Sequence, residues 1–192
     1  MRICLAIVAC CVLSTAILGC SKGRAKASVF EEMEFTDAAF QGDIAKVREL
    51  LGTRNVDSLL TAKGNNGNLP LHLAAGGGHV KIIQLLLAQG ADIKAGNDVA
   101  ATALHVAAAS GQKTAAALLI LHGADVNATD KAGYTPLHYA ARFGKDDVIE
   151  LLLKKGANPN AVSHDDVKPL HAAEREGNTA AAAIIRRYGG TA

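Results

Sequence analysis

Apolar residues recur at helical spacing in several short segments of the chain, and a glycine follows each segment. One segment places its apolar residues on a single helical face at Val80, Ile83, Leu86 and Leu87. Residues three and four positions apart share a face of an α-helix, so this pattern predicts a short amphipathic helix. Gly90 follows at the position where helices commonly end. Residues 148–156 repeat the arrangement.

These segments belong to a unit of 33 residues that occurs four times. Leu-His pairs mark its copies at 71–72, 104–105, 137–138 and 170–171. Glycines recur in phase at Gly78, Gly111, Gly144 and Gly177, and again at Gly90, Gly123, Gly156 and Gly189. A constant period of this size is typical of stacked units that share one core. The sequence therefore predicts a solenoid.

The chemistry of one unit predicts two short antiparallel helices. Proline at Pro70, Pro136 and Pro169 suits the first helical turn, where the missing N–H costs nothing, and threonine at Thr102 and Thr135 is a natural N-cap. Small residues such as Ala107 and Ala108 follow, so that neighbouring helices can approach closely. A glycine then lets the chain reverse, because glycine tolerates positive φ. About a dozen turn-forming residues complete each unit as a projecting finger.

The ends of the repeat region depart from this pattern. Residues 37–51 form an earlier, degenerate unit at a spacing of 36, so the stretch 55–68 absorbs three extra residues. This unit and the last one carry more charge, as expected of end repeats that face water. We predict a repeat region at 31–190, with units at about 34–65, 66–98, 99–131, 132–164 and 165–190.

The repeated tetrads resemble those of the ankyrin repeat family. They read Leu-Pro-Leu-His at 69–72 and Thr-Pro-Leu-His at 135–138, with Gly-Ala-Asp at 90–92 and 123–125. The resemblance covers roughly residues 34–189. It implies an all-α solenoid of stacked helix-turn-helix units with projecting finger loops, about five repeats including caps. It also implies a protein partner on the concave face, and a repeated histidine that bonds backbone groups of its own and adjacent units.

The first twenty residues follow a different pattern. Arg2 supplies a positive charge, residues 3–19 carry none, and the small Gly19 precedes Cys20. Charged, apolar and small-residue regions in this order are typical of a secretory signal. Residues 17–20 resemble the lipobox of bacterial lipoproteins, which implies cleavage after Gly19 and lipidation of Cys20. Ser21 resembles the pattern of lipoproteins that are sent to the outer membrane.

We therefore expect a signal peptide at 1–19, and a lipidated cysteine with its tether at 20–30. The chain would be lipid-anchored in the bacterial cell envelope, on the outer membrane facing the periplasm. The alternative is an uncleaved membrane helix, because 17 uncharged residues are at the lower edge of spanning length. Lys22, Arg24 and Lys26 are typical of a polybasic tether beside anionic lipid headgroups.

Cysteine and charge content limit the chemistry of the repeats. All four cysteines, Cys4, Cys10, Cys11 and Cys20, lie in the export segment, so the repeats have no disulfide or thiolate chemistry. Four of the 20 basic residues precede residue 27 and none of the 18 acidic residues does, so the remainder carries a net charge of −2. This balance provides no basic stripe for nucleic acid, which we exclude as a partner.

No residue pattern favours catalysis. The repeated histidines lie a repeat thickness apart, too far to share a zinc ion at about 2 Å from each nitrogen. His164 beside Asp165 is better explained as a solvated fingertip than as a metal site. Residues 76–78 are a glycine turn without the Gly-Lys-Ser/Thr ending of a P-loop. We predict no enzyme activity and no cofactor.

The predicted partner-binding residues are those that distinguish the fourth unit. Tyr134, Tyr139, Arg142 and Phe143 are found there, and Tyr and Arg dominate the binding energy of many interfaces. The alternative is that Tyr139 or Phe143 packs on neighbouring helices. The other predicted contacts lie on fingertips and on the next unit: Asp98, Lys131, His164, Asp165, Arg175 and Glu176. Two fingers carry a glycine, Gly67 or Gly133, and the other two carry Ala100 or Asp166 at the equivalent position. The conformation of those two fingertips is therefore left open.

These observations favour a monomeric, membrane-anchored protein-binding module that acts as a scaffold or protective partner of an exported protein. One alternative is an immunity lipoprotein that neutralises a periplasmic toxin. Another is a structural envelope component that assembles with itself.

Overall fold

The structure is a computed structural model that describes residues 28–52 and 55–191. The predicted signal peptide, Cys20 and most of the predicted tether lie outside the described residues. Within them, no helix has the length and apolar character needed to cross a bilayer.

Eleven α-helices and one 3-10 turn account for the regular structure of the described residues. In chain order they are α1 (Val29–Gln41), α2 (Ile44–Leu51), α3 (Val56–Leu60), the 3-10 turn (Asn65–Gly67), α4 (Pro70–Gly77), α5 (Val80–Ala88), α6 (Ala103–Ser110), α7 (Lys113–Leu121), α8 (Pro136–Arg142), α9 (Asp146–Lys154), α10 (Pro169–Arg175) and α11 (Thr179–Arg187). Five antiparallel hairpins result, and together they confirm the predicted all-α solenoid.

The hairpins stack as two layers of helices. The first helices pack in the order α1, α4, α6, α8, α10, and the second helices in the order α2, α5, α7, α9, α11. Each hairpin of the described residues therefore packs mainly against its neighbours, as in other solenoids.

The core runs continuously between these layers. Alanines of the first helices are fully buried, for example Ala74, Ala107 and Ala140, and larger residues of the second helices fill the remaining space, for example Leu119 and Ile149. Alanine on one side permits the close approach of first helices, while the branched side chains supply the apolar area that stabilises the stack.

Three of the four repeated histidines bond one unit to the next. His105 Nε2 donates to the carbonyl oxygen of Tyr134 at 3.0 Å, and its Nδ1 accepts from the backbone N–H of Thr102 at 3.1 Å. His72 and His138 make the equivalent bonds. These partners fix the neutral tautomer with hydrogen on Nε2. The structural role predicted for the repeated histidine is confirmed at these three positions, whereas His171 in the last unit is exposed.

Asparagines make a second set of bonds between units, near the ends of the second helices. Asn127 Nδ2 donates to the carbonyl oxygen of Gly156 at 3.1 Å, and Asn160 Nδ2 donates to that of Gly189 at 2.9 Å. Both bonds span 29 residues, as do the bonds from the histidine Nε2 atoms.

The first unit differs from the repeat pattern at both ends. Helix α1 begins at Val29, within the range predicted for the tether, because Ser28 and Glu31 form a capping box. The three-residue insertion is accommodated by α3 and the 3-10 turn, a short helical segment that the repeat pattern does not predict.

Candidate functional site

The fingers form a continuous edge along one side of the stack. We call this edge, together with the exposed sides of the first helices, the finger-side face. Successive fingertips are joined by backbone bonds. Asp98 N–H donates to Asn66 O at 3.2 Å, Lys131 N–H to Val99 O at 2.9 Å, and His164 N–H to Ala132 O at 2.9 Å. Three predicted contact residues, Asp98, Lys131 and His164, therefore occupy equivalent places in one row.

One position in each of the four fingertips has a left-handed backbone. Gly67 and Gly133 have positive φ of 68° and 80°, and Ala100 and Asp166 adopt nearly the same angle at 60° and 57°. The loss of glycine at two of these positions thus leaves the φ angle nearly unchanged, at the cost of a left-handed backbone for residues with a Cβ atom.

A polar residue braces the base of three fingers. Asn97 Oδ1 accepts from the N–H groups of Val99 and Ala101, and Asp130 Oδ1 accepts from those of Ala132 and Tyr134 at 2.9 Å. Ser163 holds the same place in the next finger. These residues were missed among the predicted site residues, although the spacing of 33 residues between them is visible in the sequence.

Asp130 also fixes Tyr139, the central aromatic of the fourth unit. The Tyr139 hydroxyl donates to Asp130 Oδ2 at 2.8 Å, and Asp130 is buried. Burial raises the pKa of Tyr139 well above its ordinary value, and the bond to Asp130 and its negative charge act in the same direction. Tyr139 therefore stays protonated and serves as a link between helix α8 and its finger.

The other three distinctive residues of the fourth unit lie around Tyr139. The Tyr134 and Tyr139 rings meet edge to face with centroids 6.4 Å apart. Arg142 Cζ lies 5.8 Å from the centroid of the Phe143 ring, and the Phe143 side chain is half exposed. We call Tyr134, Tyr139, Arg142 and Phe143 the aromatic–arginine cluster.

An open groove of about 340 Å³ lies beside this cluster. Lys131 and Arg142 supply its positive charge, Tyr134 and Tyr139 its aromatic wall, and Val99 and Ala172 part of its apolar lining. Lys131 Nζ donates to the carbonyl oxygen of Asp98 at 2.6 Å, which holds the lysine along the row of fingertips. The groove thus combines apolar surface with two cationic groups and the carboxylate of Asp130, which is bonded to Tyr139.

Acidic residues of the fifth unit contact the cluster. Arg142 Nε lies 3.4 Å from Glu176 Oε1, and the Tyr134 hydroxyl donates to Asp165 Oδ2 at 3.5 Å. Arg175 is exposed at the end of α10, and the His164 ring packs beside Gly133. The structure therefore brings seven of the predicted residues together, namely Lys131, Tyr134, Tyr139, Arg142, Phe143, Asp165 and Glu176. Asp98 and His164 lie beside them in the row of fingertips.

The arrangement is suited to recognition by shape and charge. Across residues 28–52 and 55–191, no three His, Cys, Asp or Glu side chains are placed to hold a metal ion together. The exposed pair of Arg142 and Glu176 contributes little to folding, because water screens it on both sides. Arg142 and Glu176 can therefore separate and bind groups of another protein at a small cost in free energy.

Stacked helical hairpins with bonded fingers and an exposed finger-side face define a repeat solenoid of the protein-binding class. Ankyrin repeats match the chain at residues 35–130 and 119–190, and the chain therefore belongs to the ankyrin repeat family. Members of this family are typically non-enzymatic modules that bind other proteins.

Two curated relatives show the same similarity over a shorter segment. The chain is 38% identical over 61 residues to the ankyrin repeat domain-containing protein 13C of Mus musculus and to that of Homo sapiens. The aligned segment covers 32% of this chain and 10% of each relative.

Proposed function

We propose that the chain is a membrane-anchored protein-binding module exposed to the periplasm, where it holds or protects an exported protein on its finger-side face. The aromatic–arginine cluster is the observation that carries this proposal. It places an exposed Phe143 and a cationic Arg142 beside a groove with an aromatic wall. The pattern around Cys20 supports the membrane anchor.

The chemistry of the cluster favours a protein partner that offers both apolar and acidic groups. Binding would bury Phe143 and remove Arg142 from water, and desolvated Arg and aromatic side chains are the usual centres of binding energy. Lys131 lies at one side of the groove and favours an acidic group near the fingertips. Tyr139 supports the wall of the groove and does not offer its hydroxyl to the partner, because that hydroxyl is already bonded to Asp130.

The partner test is crosslinking in the native envelope followed by mass spectrometry, with the wild type compared with Arg142→Ala/Phe143→Ala. These two side chains are exposed, so their removal leaves the core intact. We expect recovery of the partner to fall at least about tenfold, the equivalent of 1.4 kcal/mol. The control is Leu121→Ala, which removes an exposed apolar side chain from helix α7.

Unchanged recovery in the double variant would remove the aromatic–arginine cluster as the binding site. The identity of the captured protein separates the three roles. An exported enzyme supports the scaffold, a toxin supports immunity, and a second copy of the chain supports self-assembly.

The anchor is tested by Cys20→Ala and cell fractionation. Loss of the thiol prevents acylation, so we expect the variant to leave the membrane fraction. Retention of the variant in the membrane with its N-terminal peptide attached would instead support an uncleaved membrane helix.

A further inference from the structure

Helix α1 carries an apolar surface on the side that faces away from the core. Its inward face buries Phe35, Ala38 and Ala39. On its outward face Val29, Phe30, Met33 and Phe40 are between 61% and 73% exposed. These are half of the eight large apolar side chains exposed among residues 28–52 and 55–191, so they form a cluster and not a scatter.

The cluster follows helical geometry. Positions 29, 33 and 40 fall on one stripe at spacings of four and seven residues, and position 30 lies beside them. Glu32 and Glu34 flank this stripe, and one exposed carboxylate, that of Asp37, lies within it. An end repeat that faces only water needs a polar outer surface, so this outward stripe points to a non-aqueous neighbour.

The charges beside the stripe are largely paired within the protein. Lys46 Nζ lies 3.4 Å from Glu34 Oε2, and Lys63 Nζ lies 3.6 Å from Asp98 Oδ1. Asp37 Oδ2 accepts a bond from Gln41 Nε2 at 2.8 Å. An open groove of about 800 Å³ continues the apolar surface from Phe30, Met33 and Phe40 to Leu73.

The stripe begins very close in sequence to the proposed anchor. Eight residues, Cys20 to Ala27, precede the N-cap Ser28, and eight residues span at most about 28 Å whatever their conformation. Three of them, Lys22, Arg24 and Lys26, are basic and complement an anionic lipid surface. A tether this short holds α1 next to the bilayer at high effective concentration, where even weak apolar contacts are occupied.

We propose that the outward stripe of α1 rests on the lipid bilayer, with Val29, Phe30, Met33 and Phe40 entering the headgroup and acyl boundary. This inference rests on the proposed anchoring at the N-terminal segment. Insertion of large apolar side chains is the usual way in which a helix lies on a membrane surface. The contact orients the stack, so that its first hairpin touches the lipid and the aromatic–arginine cluster lies three units away.

The absence of tryptophan from the sequence allows a direct test. Met33→Trp places one fluorophore on the stripe, and Leu121→Trp places a matched one at an exposed position of α7. The full chain is recovered from the membrane fraction and reconstituted in vesicles of phosphatidylethanolamine and phosphatidylglycerol, with and without brominated phosphatidylcholine. We expect blue-shifted emission and at least twofold quenching for Met33→Trp, and neither change for Leu121→Trp.

Emission from Met33→Trp that is no more quenched than that of Leu121→Trp overturns the lipid contact. A blue shift without quenching also overturns it, because the stripe is then covered by protein. Failure of the anchor has a separate readout, which is recovery of the wild-type chain in the soluble fraction. In that case the soluble chain is added to the same vesicles, where quenching still supports the contact and its absence still overturns it.

Discussion

Ala100 and Asp166 hold a backbone conformation that costs most residues free energy. In the left-handed region a Cβ atom approaches the following carbonyl oxygen, which glycine avoids. The two residues adopt it because each finger is fixed by its bracing side chain and by the bond to the neighbouring fingertip. Backbone context thus overrides residue preference at these two positions.

Ala100→Gly is expected to stabilise the protein. Relief of the left-handed strain, about 1–2 kcal/mol, exceeds the entropic cost of glycine, about 0.5–1 kcal/mol, so the free energy of unfolding should rise by about 0.5–1 kcal/mol. Denaturant unfolding measures this change. Ala132→Gly is the control, because Ala132 does not have positive φ and its replacement should destabilise the protein. Equal effects of the two substitutions would contradict the strain.

Tyr139→Phe is expected to destabilise the protein by about 1–3 kcal/mol, because it leaves a buried Asp130 oxygen without its donor. The comparison is Tyr134→Phe, whose hydroxyl bonds to the exposed Asp165 at 3.5 Å, and which should change stability by less than about 0.5 kcal/mol. Thermal unfolding of both variants provides the measurement. A loss no larger in Tyr139→Phe than in Tyr134→Phe would show that the link to Asp130 is unimportant for the fold.

At the scale of single helices, the two faces of α7 differ sharply in burial. Leu119 is fully buried between neighbouring hairpins, whereas Leu121, two positions later, is 81% exposed. A helix in a stack is stabilised through its inward stripe alone, so equal side chains on the two faces have unequal effects on stability.

Leu119→Ala should therefore lower the free energy of unfolding by about 2–5 kcal/mol, since it removes buried apolar atoms and leaves a cavity. Leu121→Ala deletes the same atoms from an exposed position and should change the free energy of unfolding by less than about 0.5 kcal/mol. Chemical denaturation of the two variants makes the comparison. Similar losses would mean that α7 is packed on both sides.

Most helices could be predicted from the sequence because the spacing of 33 residues repeats their start and stop signals. Proline or threonine begins the first helices and glycine follows the second helices, so the bounds of α4 to α11 follow from the period. Helix α3 could not be predicted in this way, because the insertion at 55–68 occurs only once. The early start of α1 depended on the pair of Ser28 and Glu31, which lies outside the repeat pattern.

Across the whole molecule, the buried histidines make stability depend on pH. Burial lowers the pKa of His72, His105 and His138, and the bonds to backbone carbonyl groups oppose this only in part. In each ring Nδ1 accepts a bond from a backbone N–H, which is possible only in the neutral form.

Well above pH 6.5 both the folded and the unfolded chain hold these histidines neutral, and their protonation does not reduce the stability. As the pH falls below 6.5, the unfolded chain binds protons that the folded chain does not. The free energy of unfolding should then fall by up to about 1.4 kcal/mol per pH unit for each histidine. Denaturant unfolding between about pH 8 and pH 5.5 tests this, because carboxylates remain ionised there. His105→Gln should reduce the slope, and an unchanged slope would contradict the assignment.

The candidate site was less predictable than the fold. Aromatic and basic residues of the fourth unit are visible in the sequence because they break the pattern of their neighbours. Whether a side chain is exposed for a partner or engaged within the fold depends on atoms from another unit, as the bond from Tyr139 to Asp130 shows. The outward stripe of α1 was missed because its apolar residues resemble those of a core.

The constant span of 29 residues in the bonds between hairpins has a consequence for how such a protein changes its length. The copies at 99–131 and 132–164 each carry both the histidine and asparagine donors for the next copy and a carbonyl that receives a bond from the previous one. An in-frame gene duplication of residues 99–131 would therefore create a seam whose two sides already fit, and the protein could lengthen by whole units without new side chains evolving at the join.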